Sequence, residues 1–502
     1  DDSGNVYTTG RFDGTVDFDP GSGVSNLTGS YDVYVQKLTS SGNFVWAKSF
    51  GGSSAGSIAV DDSGNVYTTG TFRGTVDFDP GLGIVNLTSN GIDDVFIQKL
   101  DSLGNFVWAK SFGGSGADKG NSISVDAQGN SYTFGTFEVT VDFDPGSGTL
   151  NLTSNGYSDN FIQKLDSSGN LVWAKSFGGV GIDLGTSLFA DASGNLYTTG
   201  SFGGTVDFDP DSGTVNLTGS GFTFDVFIQR LDSLGNFVWA KSFGAGGTDI
   251  PTSISVDASG NVYTVGYFEF TIDFDPGLGT VNLTSNGGSD VFIQKLTSSG
   301  NLVWVKSFGG SSSDRAASVS VDASGNVYTT GSFQDGTVDF DPGLGTLNLT
   351  NNGYSSSDVF IQKLDSFGNL VWANSFGASN RNSDIANSIT LDAFGDLYTT
   401  GYFYGTGDYD PGLGTVNLTS NGSSDVFIQK LTNCNSTTGI DLQTACDSYT
   451  WIDGVTYTSS NNTATQTLTN ASGCDSIVTL NLTINNSNTG IDVIIACDSY
   501  TW

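Results

Sequence analysis

The sequence predicts an all-β protein made of repeated four-stranded antiparallel sheets, and three observations predict it. The first is a repeat: Asp-(Phe or Tyr)-Asp-Pro begins at Asp17, Asp77, Asp142, Asp207, Asp273, Asp339 and Asp408, at intervals of 60, 65, 65, 66, 66 and 69 residues. A fixed period of this size, carried by β-forming residues, marks a repeat architecture. The second is composition. Aromatic residues make up 12% of the 502-residue chain and glycine occupies 70 positions, the balance expected of short strands joined by tight turns. The third is that no window shows a sustained 3.6-residue periodicity.

Each repeat holds four segments long enough to be strands, here called A to D. In one complete unit, A begins at Ser122, B runs from Asn130 to Phe137, C from Asn160 to Leu165 and D from Leu171 to Phe177. A and B are joined by Asp-Ala-Ser-Gly-Asn, as at residues 257–261, and C and D by Asp-Ser-Leu-Gly-Asn, as at 101–105. Both are hairpin loops with glycine where φ must be positive. The longer Asp-Phe-Asp-Pro-Gly segment links B to C. A four-stranded meander repeated about an axis is a propeller blade. Strand D alternates, with Phe44, Trp46 and Phe50 on one side and Val45, Ala47 and Ser49 on the other. The tryptophan in each D strand (Trp46, Trp108, Trp173, Trp239, Trp304, Trp372) reads as blade-to-blade packing. Strand C is apolar on both faces, as a strand between two neighbours should be.

The runs Ser-Val-Asp-Ala-Ser-Gly-Asn-Val-Tyr, Phe-Ile-Gln-Lys-Leu-Asp-Ser and Asn-Leu-Val-Trp-Ala-Lys resemble the SBBP-type β-propeller repeats of secreted bacterial proteins. They are more distantly similar to NHL repeats. The resemblance covers residues 1–431 and implies a binding or scaffolding domain, bacterial, secreted or displayed at the cell surface. Seven B and seven C strands are present, but six A and six D. The chain opens on an A–B turn, and its last C strand ends at Leu431. The expectation is a seven-bladed β-propeller whose seam lies at the D and A strands that would precede Asp1. The rival expectation is further blades upstream. The chain has no Met, which fits a processed protein or a piece of a longer one.

Residues 432–437 read as a linker, 438–488 as a small β-sandwich module, and 489–502 as the start of a second copy. Thr438-Gly-Ile-Asp441 recurs at 489–492, and Ala445 to Trp451 recurs at 496–502, both offset by 51 residues. The module looks like the Ig-like or adhesin-like tandem modules of secreted bacterial proteins. At this size one core is marginal and a staple is expected. Cys446 and Cys474, each followed by Asp-Ser, are the expected disulfide. Cys497 would pair beyond the chain, and Cys434 has no evident partner. Cysteines confined to small modules fit an oxidising, extracellular setting.

Charge excludes some functions. With 17 Lys+Arg against 52 Asp+Glu and a net charge of -35, no basic stripe is available for nucleic acid. No apolar run approaches the ~20 residues of a membrane span. The chain has no His, which removes Ser-His-Asp and Cys-His catalysis and every His-ligated zinc or iron site. Paired carboxylates can hydrolyse glycosides, but catalysis needs one special site, and these pairs repeat seven times. Glu138 and Glu269 fall in different repeats. The chain therefore reads as no enzyme.

The candidate site residues are the paired aspartates Asp17 and Asp19, Asp77 and Asp79, Asp142 and Asp144, Asp207 and Asp209, Asp273 and Asp275, Asp339 and Asp341, and Asp408 and Asp410. Two residues apart on an extended chain, each pair shares a face. With backbone carbonyls of the following Pro-Gly segment they could hold Ca²⁺. Equally, they could form a rigid turn, and seven of the eight prolines sit in this motif. Both readings stand at this point. Asn-Leu-Thr, at Asn26 and six equivalents, matches the glycosylation pattern, but its place in every repeat reads as strand and turn. The D–A loops vary, as Gly51–Gly56 and Gly377–Asp384 show, and variable loops on a fixed scaffold carry specificity. The expected function is non-catalytic recognition of an extracellular glycan or surface protein by the B–C and D–A loop rim. Alternatives are an accessory propeller in a larger secreted enzyme, or a structural spacer.

Overall fold

A computed structural model describes the chain except for residues 2, 53, 221–222, 335, 352–355, 379–381, 413, 433–436, 470–474, 488–492, 494, 496, 500 and 502. It divides into two units, Asp1–Leu431 and Thr432–Trp502. Every regular element among the described residues is a strand.

In the first unit each repeat becomes an antiparallel sheet in the order A-B-C-D. Blade 2 consists of Ser54–Val60, Val66–Phe72, Asp94–Leu100 and Phe106–Phe112. Blades 3 to 6 repeat this plan, with A strands starting at Lys119, Asp183, Ile250 and Arg315. Blade 1 has B (Val6–Asp17), C (Asn26–Leu38) and D (Phe44–Phe50), and blade 7 has A (Ile385–Leu391), B (Leu397–Asp408) and C (Asn417–Leu431). Among the described residues of the first unit the blades are thus five four-stranded sheets and two of three strands. The A–B turn of blade 3 closes through Gly129 N–H donating to Asp126 C=O, with Gly129 at φ 77°. That left-handed conformation favours glycine.

The core lies between sheets, because each sheet is apolar on both faces. Between blades 2 and 3, Val95, Ile97 and Phe112 pack against Phe137, Phe143 and Phe161. Equivalent clusters join each consecutive pair from blade 1 to blade 7. Trp Nε1 atoms reinforce the joint. Trp46, Trp108, Trp239 and Trp304 donate to the carbonyls of Ser102, Ser167, Ser298 and Ser366 in the next blade at 3.0–3.2 Å. Strand C cations reach the same loop, as in Lys99 to Ser167 (3.3 Å) and Lys295 to Ser366 (3.2 Å). Lys430 of blade 7 makes that bond to Ser40 of blade 1, at 3.2 Å, so the first and last sheets are neighbours.

Past its pairing with strand C, strand B of blades 2 to 6 runs into a short ribbon that pairs Thr-(Val or Ile)-Asp with Asn-Leu-Thr, for example Thr140–Asp142 with Asn151–Thr153. In blade 3 the Thr140 and Thr153 hydroxyls are 2.8 Å apart. Asn-Leu-Thr is therefore a strand in each blade.

In the second unit Thr437–Cys446 pairs in parallel with Asp475–Asn485, which pairs antiparallel with Thr465–Thr469. A separate two-stranded hairpin joins Tyr449–Thr450 to Thr456–Tyr457. Trp451, Leu480 and Leu482 form its small core. The expected sandwich is thus a mixed three-stranded sheet plus a hairpin. The expected disulfide is corrected: Cys446 is a free, exposed thiol, as is Cys497. The parallel ladder starts at Thr437 opposite Ser476 and ends at Cys446 opposite Asn485, so Cys446 stands about 30 Å of strand from the beginning of its partner. Cys434 and Cys474 lie outside the described residues.

Candidate functional site

The paired aspartates of the B–C hairpin act first on their own backbone. Asp17 Oδ1 accepts the N–H groups of Ser25 (2.7 Å) and Asp19 (3.1 Å), and Asp19 Oδ1 accepts that of Gly21 (2.8 Å). The bond from Ser25, then that from Asp19, holds the Asp17 carboxyl below the usual carboxylate range. The same three bonds recur at the other six pairs, through Asp77 and Asp79, Asp142 and Asp144, Asp207 and Asp209, Asp273 and Asp275, Asp339 and Asp341, and Asp408 and Asp410. A Cβ on Gly23 would overlap the Asp19 carboxylate, which explains the second glycine of the motif. Between the two aspartates, Phe18 turns into the core and its carbonyl accepts a bond from buried Gln36 (2.6 Å). Among the described residues no group of three or more His, Cys, Asp or Glu gathers as metal ligands would. A calcium ion here would draw on one hairpin's two carboxylates and backbone carbonyls.

A second set of carboxylates was missed in the sequence. Asp94, Asp159, Asp225, Asp290 and Asp358 head strand C, and Asp118, Asp183, Asp249, Asp314 and Asp384 close the following D–A loop. All ten are buried. In blade 6, Gly377 separates the two: a Cβ there would stand 2.6 Å from Asp358 Oδ1 and 3.1 Å from Asp384 Oδ2. The D–A aspartate ties its loop to the B–C segment of the next blade. Asp118 Oδ2 accepts Gly114 N–H (2.7 Å) and its Oδ1 accepts Glu138 N–H (3.0 Å). The strand C aspartate holds the preceding loop: Asp290 Oδ2 accepts the backbone and side-chain N–H of Asn286 at 3.0 and 3.2 Å. Asp159 Oδ1 and Asp290 Oδ1 are buried with no hydrogen-bond partner.

Burial raises these groups, against the opposing backbone bonds. It pushes Asp183 and Asp249 up to about 7, with the charges of Asp159 and Asp225 adding to it. It pushes Asp118, Asp290 and Asp314 to about 6. The usable sequence signal was Gly-(Gly or Ala)-x-x-x-Asp, which ends four of these D–A loops; the loop into blade 7 is two residues longer.

The D–A loops and B–C segments share one rim. Gly178 bridges to Asp207, and Gly377 to Asp408. Apolar side chains stand out from it around blade 3. Tyr157 and Val180 are 76% and 78% exposed, and they are joined through Tyr157 N–H to Gly181 C=O at 3.2 Å. Val139 and Phe270 are exposed at φ 54° and 65°. Blades 1, 2, 4, 6 and 7 have glycine at that position (Gly14, Gly74, Gly204, Gly336, Gly405). A β-branched or bulky residue in this region is strained, and such strain gathers at working surfaces.

Comparison with known proteins supports the repeat. Residues 238–267 match the model of the SBBP beta-propeller repeat family. A curated relative, an uncharacterized WD repeat-containing protein of Acanthamoeba polyphaga mimivirus, is 23% identical over 429 residues, covering 72% of this chain and 30% of its own length. Regulatory protein FlaEY of Caulobacter vibrioides is 24% identical over 301 residues, covering 57% of this chain and 30% of its own length. The chain thus spans under a third of either relative. A solved structure of a Bacteroides caccae protein of unknown function aligns with 68% of this chain and 89% of its own, at TM-score 0.31 and 10% identity. Residues 238–267 thus carry a β-propeller repeat.

Proposed function

We propose that Asp1–Leu431 is a seven-bladed propeller that binds without catalysis, outside the cell or at its surface, through the rim of D–A loops and B–C segments. The observation that carries this reading is the exposed apolar group Tyr157, Val180 and Ile182, brought together by the bond from Tyr157 N–H to Gly181 C=O and the bridge between Ser158 and Ile182, with Val139 exposed in the same blade. Two features support its being a contact surface. Val139 sits at a positive φ where five other blades use glycine. The loop beneath is pinned by Asp183 to Gly179 N–H (2.7 Å), so it presents those side chains rigidly, which lowers the cost of binding. The bond between Lys430 and Ser40 supports seven blades rather than more. An exposed aromatic beside small polar groups suits the apolar face of a sugar or an extended peptide.

The test is a glycan array, together with immobilised extracellular matrix polymers, probed with the chain and with Tyr157→Ala and Val180→Asp variants. Binding that both variants lose supports the reading. Binding that neither affects, or none to any probe, sinks it.

A second reading is favoured by length. Because this chain matches only 30% of each curated relative, the propeller could serve as an accessory or spacing domain of a larger protein, with activity elsewhere. Full-length sequencing of the gene decides it: a catalytic domain beside the propeller favours this second reading.

A further inference from the structure

The few cations of this chain are not spread evenly. Of the 17 Lys and Arg, seven sit in strand C, as Lys99 does, and five in strand D, as Lys110 does. Those recur from blade to blade, and aspartates of the hairpin rim attract them, as Asp101 does Lys48 and Asp365 does Lys306. The other five are Arg11, Arg73, Lys119, Arg315 and Arg381. All five fall toward the opposite rim, at the rim end of strand B, at the start of strand A or in a D–A loop. Arg381 lies outside the described residues, and Arg73 pairs with Asp93 at 3.1 Å.

Two of them stand on the innermost strands. The A strands of consecutive blades touch one another: Asn121 Nδ2 donates to Gly185 C=O (2.7 Å) and Thr252 Oγ1 to Ala316 C=O (3.0 Å). At the rim their ends form a ring of Ser54, Lys119, Leu184, Ile250, Arg315 and Ile385, each opposite the residue before the last Phe of strand B. The ring holds two cations, three aliphatic side chains and no acid, in a chain where acids outnumber bases 52 to 17. Lys119 and Arg315 are exposed. The acids that precede them, Asp118 and Asp314, are buried and hold backbone instead. They accept N–H groups of Gly114 and Glu138, and of Gly310 and Gln334, at 2.6–3.0 Å. Arg315 lies on the Tyr267 ring, 4.7 Å from its centroid. Stacking engages the face of a guanidinium and leaves its N–H edge for a carboxylate.

We propose that this inner ring binds an acidic polypeptide segment, with Asp or Glu side chains on Lys119 and Arg315 and apolar side chains on Leu184, Ile250 and Ile385. This rests on the reading of the rim as the contact surface and adds the chemistry of the partner. The mixture of cations and aliphatic side chains favours a peptide over a polyanionic sugar, which has no side chain for the aliphatic positions. The net charge of -35 repels such a segment elsewhere on the chain. Attraction is therefore local to the ring, since charges are screened beyond about 8 Å at physiological salt. A local charge of this kind selects a partner and its register more than it adds raw affinity.

The test is fluorescence anisotropy of a short labelled peptide of alternating Glu and Leu, titrated with the 502-residue chain. The same peptide with Gln for Glu is expected to bind at least ~10-fold more weakly. Lys119→Glu and Arg315→Glu should each weaken binding of the Glu peptide by at least ~10-fold, with an unchanged circular dichroism spectrum. Added salt should weaken it as well. Lys110→Glu makes the same charge change in strand D and should leave binding as it is. The proposal is overturned if the Glu peptide does not bind, if the Gln peptide binds equally, or if Lys110→Glu weakens binding as much as Lys119→Glu. It is also overturned if polygalacturonate binds more tightly than the peptide and loses that binding in Lys119→Glu. In any of these cases, array binding that Tyr157→Ala abolishes would still leave the rim as the contact surface, and only its acidic-peptide ring would fall.

Discussion

Aspartate does opposite work at the two ends of the blades. At the A–B turn of blade 3, burial disfavours the charge of Asp126. Bonds from Asn130, Tyr132 and Gln128 outweigh it and hold the carboxyl below its ordinary range. At the other rim, burial of Asp183 wins over the bond from Gly179, Asp159 adds a second negative charge, and the carboxyl rises to about 7. One residue type is thus a satisfied anion at one end and a proton holder at the other. The number of donors set against the depth of burial decides which.

The comparison breaks if carboxylates of either kind outrank the apolar joint between blades. Phe143 is fully buried against Phe112, Phe137 and Phe161. Phe143→Ala should therefore lower the stability of the propeller by about 3–5 kcal/mol in urea unfolding. Next comes the turn. Asp126→Ala removes four hydrogen bonds and should cost about 1–3 kcal/mol at neutral pH. An effect as large as that of Phe143→Ala would show the turn to be more than a local support.

The rim pairs predict a pH dependence of opposite sign to that of the turns. A carboxyl raised in the folded state contributes stability that is full below its unfolded pKa and lost as pH rises through the folded value. For Asp118, Asp183, Asp249, Asp290 and Asp314 that loss falls between about 4 and 7. The turn aspartates Asp126 and Asp257, which are lowered, contribute stability that disappears as pH falls below about 4. The unfolding midpoint should peak near pH 4–5 and fall toward pH 8. Asp290→Asn keeps an acceptor for Asn286 and removes the charge beside Asp314. It should raise stability at pH 8 by about 1 kcal/mol, by roughly half as much at pH 5, and hardly at all below pH 4. A flat profile from pH 5 to 8 would refute the assignment of these pairs as proton holders.

Strands and hairpin turns were legible because they are written locally. The two-residue alternation of Phe44, Trp46 and Phe50 and the glycine of each hairpin need no knowledge of the partner sheet. Asp118 and Asp183 were not legible, since what buries a loop aspartate is the neighbouring blade. In sequence, Gly-Gly-x-x-x-Asp is an ordinary polar loop. The Cys446–Cys474 expectation rested on the shared Asp-Ser that follows each cysteine. It gave way to a parallel strand pairing that sets Cys446 opposite Asn485, a long-range choice that no local motif encodes.

The smallest expected effect concerns calcium. In the hairpins Asp17 Oδ1 and its six counterparts each already accept two backbone N–H groups, and the second aspartate accepts a third. These bonds close the turn without a cation. The unfolding midpoint should therefore be the same in millimolar Ca²⁺ and in chelator. The measurement is sensitive, because a ligand at one hundred times its Kd stabilises by about 2.7 kcal/mol per site, and seven equivalent hairpins would sum. A rise of many degrees would turn each pair from a turn lock into a metal ligand set, and would give the propeller a calcium-dependent rim next to the proton-holding one.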